Sequence, residues 1–260
     1  MVDKLPGNLY DYPSYYDLVY GSDWKAEHDF LIGAFDRFVN GGVQRVLEPA
    51  CGTGRLIYRL MKHGMEVHGL DLSENAVEYC NNRLGRHGFP QTAVVADMCD
   101  FHYGDAFDAG FNTINSFRHL ESHDQAIAHL RCMSHAIKPG GIYVLGIHLY
   151  PAVGPPIEEE SWFAQRGHLG VQTNMTLMHR NLDERYEQYK MRYDIWTPTN
   201  HQVLEDVFRF RTYTSKEFQQ LLNEAGQWEI IDTYDFQYNL KQSMPIDDQT
   251  EDVVYILRRV

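Results

Sequence analysis

The feature that most narrows what this 260-residue chain can fold into is the run Glu48-Pro49-Ala50-Cys51-Gly52-Thr53-Gly54. It lies between the apolar Val46-Leu47 and Arg55-Leu56-Ile57 and predicts a strand, a glycine turn and a helix. Gly52 and Gly54 are free to take positive φ and place no Cβ between the backbone and a ligand. A helix opening behind them would aim free N–H groups at that ligand. A dinucleotide fingerprint needs a third glycine where Ile57 stands, and a phosphate loop needs Lys-Ser or Lys-Thr where Arg55-Leu56 stands. Glu48 would also repel a pyrophosphate. The turn therefore points to a ligand with positive or little negative charge, and away from a nicotinamide oxidoreductase.

Two further strand ends carry acids. Val67 to Asp71 reads as a second strand whose terminal carboxylate lies about twenty residues past the glycines, where it can accept both hydroxyls of a ribose. Ala93 to Met98 reads as a third strand, in which Asp97 can accept an exocyclic amine and Met98 can pack on a flat ring. Acids at three successive strand ends describe a nucleoside site.

These residues, with Lys138-Pro139-Gly140-Gly141 before a fifth strand, resemble the class I S-adenosylmethionine-dependent methyltransferases over about residues 40 to 150. The resemblance implies S-adenosylmethionine as cofactor, with the glycine turn under its methionine part. It implies that Asp71, with Leu72 beside it, binds the ribose and that Asp97 and Met98 hold the adenine. Glu48, Ala50, Gly52, Gly54 and Asn112 at the fourth strand end complete the expected cofactor set. Ala50 departs from the family, which commonly has a glycine there, so its φ must be negative or strained.

The expected fold class is α/β: a Rossmann-like, seven-stranded, mostly parallel sheet with helices on both faces. Helices are predicted from Asn75 to Arg86 after Ser73, from Ser122 to Ile137, and from Ser215 to Ala225-Gly226. Strands are predicted at Phe107–Asn112, Ile142–Gly146, Glu229–Tyr234 and Asp252–Leu257. Between Tyr150 and Thr214 the pattern changes. Val171–Met178, Tyr186–Ile195 and Val203–Arg211 alternate apolar and polar residues between turn signals, which predicts an antiparallel β lid. Its position after the fifth strand places it at the carboxyl edge of the sheet, over the acceptor, and a homodimer surface is its alternative role. The whole chain reads as a single methyltransferase domain, with an N-terminal aromatic cap at 1–40 and the lid inserted at 150–214.

The aromatic cap contains Tyr10, Tyr12, Tyr15, Tyr16 and Tyr20, then Trp24. Tyr15 to Tyr20 resembles the N-terminal segment of small-molecule methyltransferases that folds over the sulfonium. An aromatic face there offers a cation–π contact, for which Tyr16 and then Trp24 are the candidates. After the fourth strand, Asn112 to Leu120 gathers polar groups in one loop. Its Ser116-Phe117-Arg118-His119-Leu120 resembles the Ser-x-x-His-Leu pattern of amino-sugar N-methyltransferases and their relatives. His119 is accordingly the expected catalytic residue, a histidine titrating near neutrality that accepts a proton from an amine or hydroxyl. His148, Tyr150 and Trp162 are expected to line the acceptor pocket.

Composition sets the remaining bounds. Acidic residues outnumber basic ones 36 to 23, for a formal charge of −13. Nucleic-acid binding needs a cationic footprint, so a small-molecule acceptor is expected instead. No apolar run reaches the length of a membrane span and Met1 to Pro6 has no signal-like core, which predicts a cytoplasmic protein without a membrane partner. The four cysteines show no CxxC spacing, and the thirteen histidines no HxxxH grouping with an acid, so no metal is expected. The expected function is methyl transfer from S-adenosylmethionine to N or O of a small molecule. A non-catalytic S-adenosylmethionine-binding sensor is the alternative.

Overall fold

The computed structural model describes residues 3–151 and 158–260. The lid expected at 150–214 therefore includes a stretch, 152–157, that lies outside the described residues, as do the first two residues of the aromatic cap.

The chain begins with β1 (Asp3–Lys4), a 3-10 turn at Leu9–Asp11, α1 (Pro13–Gly21) and α2 (Lys25–Phe38). There follow β2 (Arg45–Pro49), α3 (Ile57–Lys62), β3 (Glu66–Asp71), α4 (Glu74–Arg86), β4 (Ala93–Val95) and β5 (Phe107–Asn112). A second 3-10 turn at Ser116–His119 leads to α5 (His123–Ala136) and β6 (Ile137–His148). Four long strands come next, β7 (Glu159–Arg166), β8 (Leu169–Asn181), β9 (Tyr186–Thr197) and β10 (Asn200–Arg211). The chain closes with α6 (Ser215–Ala225), β11 (Trp228–Tyr234) and β12 (Asp252–Arg259).

Seven strands form one sheet in the order β11-β12-β6-β5-β2-β3-β4. The five from β6 to β4 are parallel and β12 and β11 return antiparallel, so the sheet is mostly parallel, as expected from the βα alternation. Such a sheet is covered on both faces, and its strands read as unbroken apolar runs. In β6, Tyr143, Leu145 and Ile147 face α5 and α6, while Ile142 and Val144 face the layer of α2, α3 and α4. Strand order reverses between β2 and β5, and open α/β sheets bind ligands outside the strand carboxyl ends at such a point.

Helix starts follow the capping chemistry in the sequence. The Ser73 hydroxyl accepts the Ala76 N–H at 3.2 Å, and Ser122 with Gln125 forms a capping box. At α6 the cap is Thr214, paired reciprocally with Glu217, so the helix starts one residue earlier than a Ser215 cap implies. The helix behind the glycine turn opens late, at Ile57, and is only six residues long.

The second sheet has the order β1-β10-β9-β8-β7. Its β8, β9 and β10 are the three alternating runs. Along β9, Glu187, Tyr189, Met191, Tyr193 and Ile195 are buried, and the residues between them are not. Two of its strands had no signal in the sequence. β7 is mostly polar and exposed, and β1 is a two-residue strand that pairs parallel to β10 through Asp3 opposite Gln202.

Asp17 on α1 joins the two sheets. Its carboxylate is about 2% exposed; it pairs with Arg83 of α4 at 2.5 Å and with Arg166 of β7 at 2.8 Å. It also accepts the Thr53 hydroxyl from the glycine turn at 3.2 Å. Burial alone would raise its pKa, but the Arg83 and Arg166 guanidiniums outweigh burial and hold the carboxyl below its ordinary value. Stability from a depressed carboxyl is present above the unfolded-state pKa of about 4 and is lost as pH falls through the folded one. Asp17→Asn should cost about 3 kcal/mol at pH 7, read from urea unfolding followed by circular dichroism. The gap between wild type and variant should narrow below about pH 4.

Candidate active site

A cleft of about 540 Å³ opens at the carboxyl ends of β2, β3 and β4. Ala50, Leu70, Asp71, Leu72, Ala96 and Met98 line its sheet side, and Tyr10, Tyr16, Ser116 and His119 close it from above. Asp71 stands where β3 ends. Its two carboxylate oxygens accept the Gly52 N–H at 2.7 Å and the Ser73 N–H at 2.9 Å. Burial raises its pKa, against the pull of those backbone donors. Leu72, an apolar side chain 70% exposed, stands uncovered on the cleft wall.

The glycine turn works differently from the expectation that it clears space for a ligand. A Cβ on Gly52 (φ +52°) would lie 3.0 Å from the Tyr16 ring, and one on Gly54 (φ +65°) would lie 2.2 Å from Cys80 Sγ. Gly52 admits Tyr16 onto the turn, and Gly54 admits α4. Neither lines the cleft, whereas Ala50 does, at φ +51°. Ala50 thus takes the strained one of its two options, at a cost of about 1 kcal/mol.

At the adjoining ends of β2 and β5, two buried acceptors lack protein partners among the described residues. One is a carboxylate oxygen of Glu48, the other the Asn112 carbonyl oxygen. Asn112 spends its amide N–H on Pro49 O at 2.9 Å. Burial pushes the Glu48 carboxyl well above its ordinary range, although the nearby Arg55 charge lowers it. Arg55 itself makes a bidentate pair with Glu27 of α2, both bonds 2.6 Å, and Glu27 also accepts the Thr113 hydroxyl.

A second cavity, of about 270 Å³, lies under the second sheet and shares Tyr10, Tyr16, Ser116 and His119 with the first. His119 closes the 3-10 turn that follows Asn115, itself at φ +57°. Its Nε2 is 3.4 Å from the Tyr10 hydroxyl, and its ring lies 5.5 and 4.8 Å from those of Phe208 and Phe210. The turn is tied to the second sheet by Arg118, which donates to Glu187 at 2.5 Å and to Arg211 O at 2.9 Å. Burial first, and then the Arg118 charge, lower the His119 pKa to about 4. His119 is thus neutral throughout the neutral range, and not the near-neutral titrating group expected from its residue type.

His148 and Trp162 line the second cavity, with His148 Nδ1 2.8 Å from Asp252. Three expected residues lie elsewhere. Trp24 is stacked under the Arg59 guanidinium, 3.9 Å from its ring centroid, and packs into the core below α2. Asp97 is exposed, beyond the end of β4, and accepts the Cys99 N–H at 2.8 Å in the turn that follows the strand; Ala96 and Met98 line the cleft and Asp97 does not. Tyr150 donates its backbone N–H to Tyr213 O and lies beside Arg180, off the cavity. The sequence reading missed Tyr10, which lines both spaces, and Asp206 and Phe208, which line the second. The i, i+2, i+4 face of residues 206, 208 and 210 was the available signal.

Among the described residues no cluster of three or more His, Cys, Asp or Glu side chains could hold a metal, and no helix is long and apolar enough to cross a membrane.

Residues 46–141 match the model of a family described as a methyltransferase domain. The dTDP-4-amino-2,3,4,6-tetradeoxy-D-glucose N,N-dimethyltransferase of Saccharopolyspora spinosa is 24% identical over 230 residues, which cover 83% of this chain and 85% of that protein. Among solved structures, an S-adenosylmethionine-dependent methyltransferase from Clostridium acetobutylicum ATCC 824 superposes with a TM-score of 0.77 at 19% identity. The match covers 97% of this chain and 99% of that one. The S-adenosylmethionine-bound amino pentose methyltransferase CalS10 from Micromonospora echinaspora gives 0.74 at 18% identity, with both chains covered in full. The acid-ended parallel strands, the cleft at the switch point and the matched segment agree: residues 46–141 are a methyltransferase domain, and the chain has the fold of S-adenosylmethionine-dependent methyltransferases.

Proposed function

We propose that the chain methylates a nitrogen or oxygen of a small molecule held in the second cavity. The observation that carries this reading is the meeting of the two spaces at Tyr16 and His119. S-adenosylmethionine supplies an electrophilic methyl on a sulfonium, which the acceptor's lone pair takes while the C–S electron pair stays on sulfur. A space for the acceptor that abuts the cofactor cleft is what such a displacement requires, since its rate depends on alignment. A non-catalytic sensor would not need that space. The relative from Saccharopolyspora spinosa, named for an amino-sugar acceptor, supports the same reading.

The residues present fit the cofactor. The unpartnered acceptors of Glu48 and Asn112 suit an ammonium group, which would also draw the raised Glu48 carboxyl back to its charged form. Asp71 is placed to accept ribose hydroxyls, while Leu72 and Met98 offer apolar faces to a purine. Tyr16, held over the turn by Gly52, presents its ring to both spaces and suits a cationic sulfur. In this reading Trp24 and Asp97 have no cofactor role, and Tyr150 none toward the acceptor.

His119 acts by accepting a hydrogen bond from the acceptor's N–H or O–H, which orients the lone pair. It is too weak a base to keep the proton. This assignment is read by nuclear magnetic resonance titration, in which the His119 ring should stay neutral down to about pH 4. A midpoint near the ordinary histidine value would contradict it. His119→Ala should lower turnover about tenfold or more and leave S-adenosylmethionine affinity unchanged; undiminished turnover would remove His119 from the mechanism. Asp71→Ala should weaken S-adenosylmethionine binding by about 1.5–3 kcal/mol in calorimetry, and equal affinity would show that the ribose lies elsewhere.

A further inference from the structure

The charges that line the second cavity are one-sided. Asp206, Glu160 and Asp252 contribute carboxylates, and the lining guanidinium is Arg118. Arg118 is already committed, to Glu187 and to Arg211 O, and both members of that pair are about 3% exposed. Asp252 faces His148, whereas Asp206 and Glu160 make no ion pair among the described residues. A phosphate entering this space would meet carboxylates and no available cation.

Asp206 is the lining carboxylate on the strand that packs against His119. On β10 it shares a face with Phe208 and Phe210, the two rings against His119. One of its oxygens accepts the Val207 N–H at 2.7 Å, and the other has no protein partner among the described residues. Tyr20, Tyr193 and Trp162 line the same space, with Tyr20 and Trp162 6.2 Å apart. A carboxylate among aromatic faces is the surrounding that an alkylated ammonium favours, through charge pairing and cation–π attraction together.

Resting on the methyltransferase reading above, we infer that the acceptor is a compact amine, free of phosphate, whose cationic form is seated by Asp206 against the aromatic wall. Nitrogen suits this cavity better than oxygen. The reacting amine sheds a proton to water, its lone pair forms the N–C bond, and positive charge then builds on nitrogen, where a carboxylate lowers the barrier. A hydroxyl would instead need a base to take its proton, and the neighbouring histidine is too weak to hold one. The relative from Saccharopolyspora spinosa is named for a dTDP-linked sugar; the acidic lining here selects against such a group.

The inference is tested on the full chain saturated with S-adenosylhomocysteine, by calorimetric titration with benzyltrimethylammonium, a permanent cation that cannot be methylated. Binding is expected, and Asp206→Asn should weaken it about tenfold or more while S-adenosylhomocysteine affinity stays within about twofold. Asp206→Glu should retain most of the binding, which a merely structural role would not predict. Thymidine 5′-diphosphate should not bind. Binding of the diphosphate, no binding of the cation, or equal cation binding by Asp206→Asn would each overturn the inference and leave the methyl-donor site standing. Failure of S-adenosylhomocysteine itself to bind would remove the reading on which the inference rests.

Discussion

One buried carboxylate, that of Asp17, holds the working parts of this molecule in register. A charge removed from water is tolerated only when paired and hydrogen-bonded, and Asp17 takes its partners from three separate segments: Arg83 on α4, Arg166 on β7 and Thr53 in the glycine turn. Meeting that demand brings together the N-terminal helix, the nucleotide-type strand ends and the second sheet. Tyr16, the preceding residue, then rests on Gly52 and covers the cleft. The roof of the site is set by electrostatics as much as by apolar packing.

Two further buried pairs repeat this logic around the site. Glu27 of α2 clamps Arg55 behind the glycine turn and also takes the Thr113 hydroxyl at the end of β5. Glu187 of β9 binds Arg118 and Arg180, which ties the turn bearing His119 to the second sheet. These pairs consume the cations near the site. What remains without an ion-pair partner in the two spaces is largely acidic or aromatic: Asp71 in the cleft, Asp206 and the tyrosines in the cavity. Both spaces suit cationic ligands because the protein's own positive charges serve its architecture.

The legible parts of the sequence were those governed by local rules. The glycine turn, the acid ending β3, the helix caps and the alternation of β8 to β10 each follow from neighbours a few residues away, and with the parallel sheet they were expected from the residues alone. Asp97 and Trp24 fall outside the cleft lining because residue type was read without direction: Asp97 turns its carboxylate onto the Cys99 N–H in the turn after β4, and Arg59 offers Trp24 a stacking partner in the core. β7 and β1 left no trace because their pairing depends on partner strands, not on any pattern of their own.

By itself the sequence determined the α/β class and the switch-point cleft, since 3.6- and 2-residue periodicities and a turn motif are properties of short windows of chain; the methyl donor followed from the resemblance those motifs carry. Only the tertiary structure decided that Gly54 makes room for Cys80 rather than for a ligand. It also decided that His119 is half-buried and neutral, and that Asp206 joins the aromatic wall beside it. Those outcomes depend on desolvation and on contacts between residues as much as two hundred positions apart, and neither quantity exists until the chain has closed on itself.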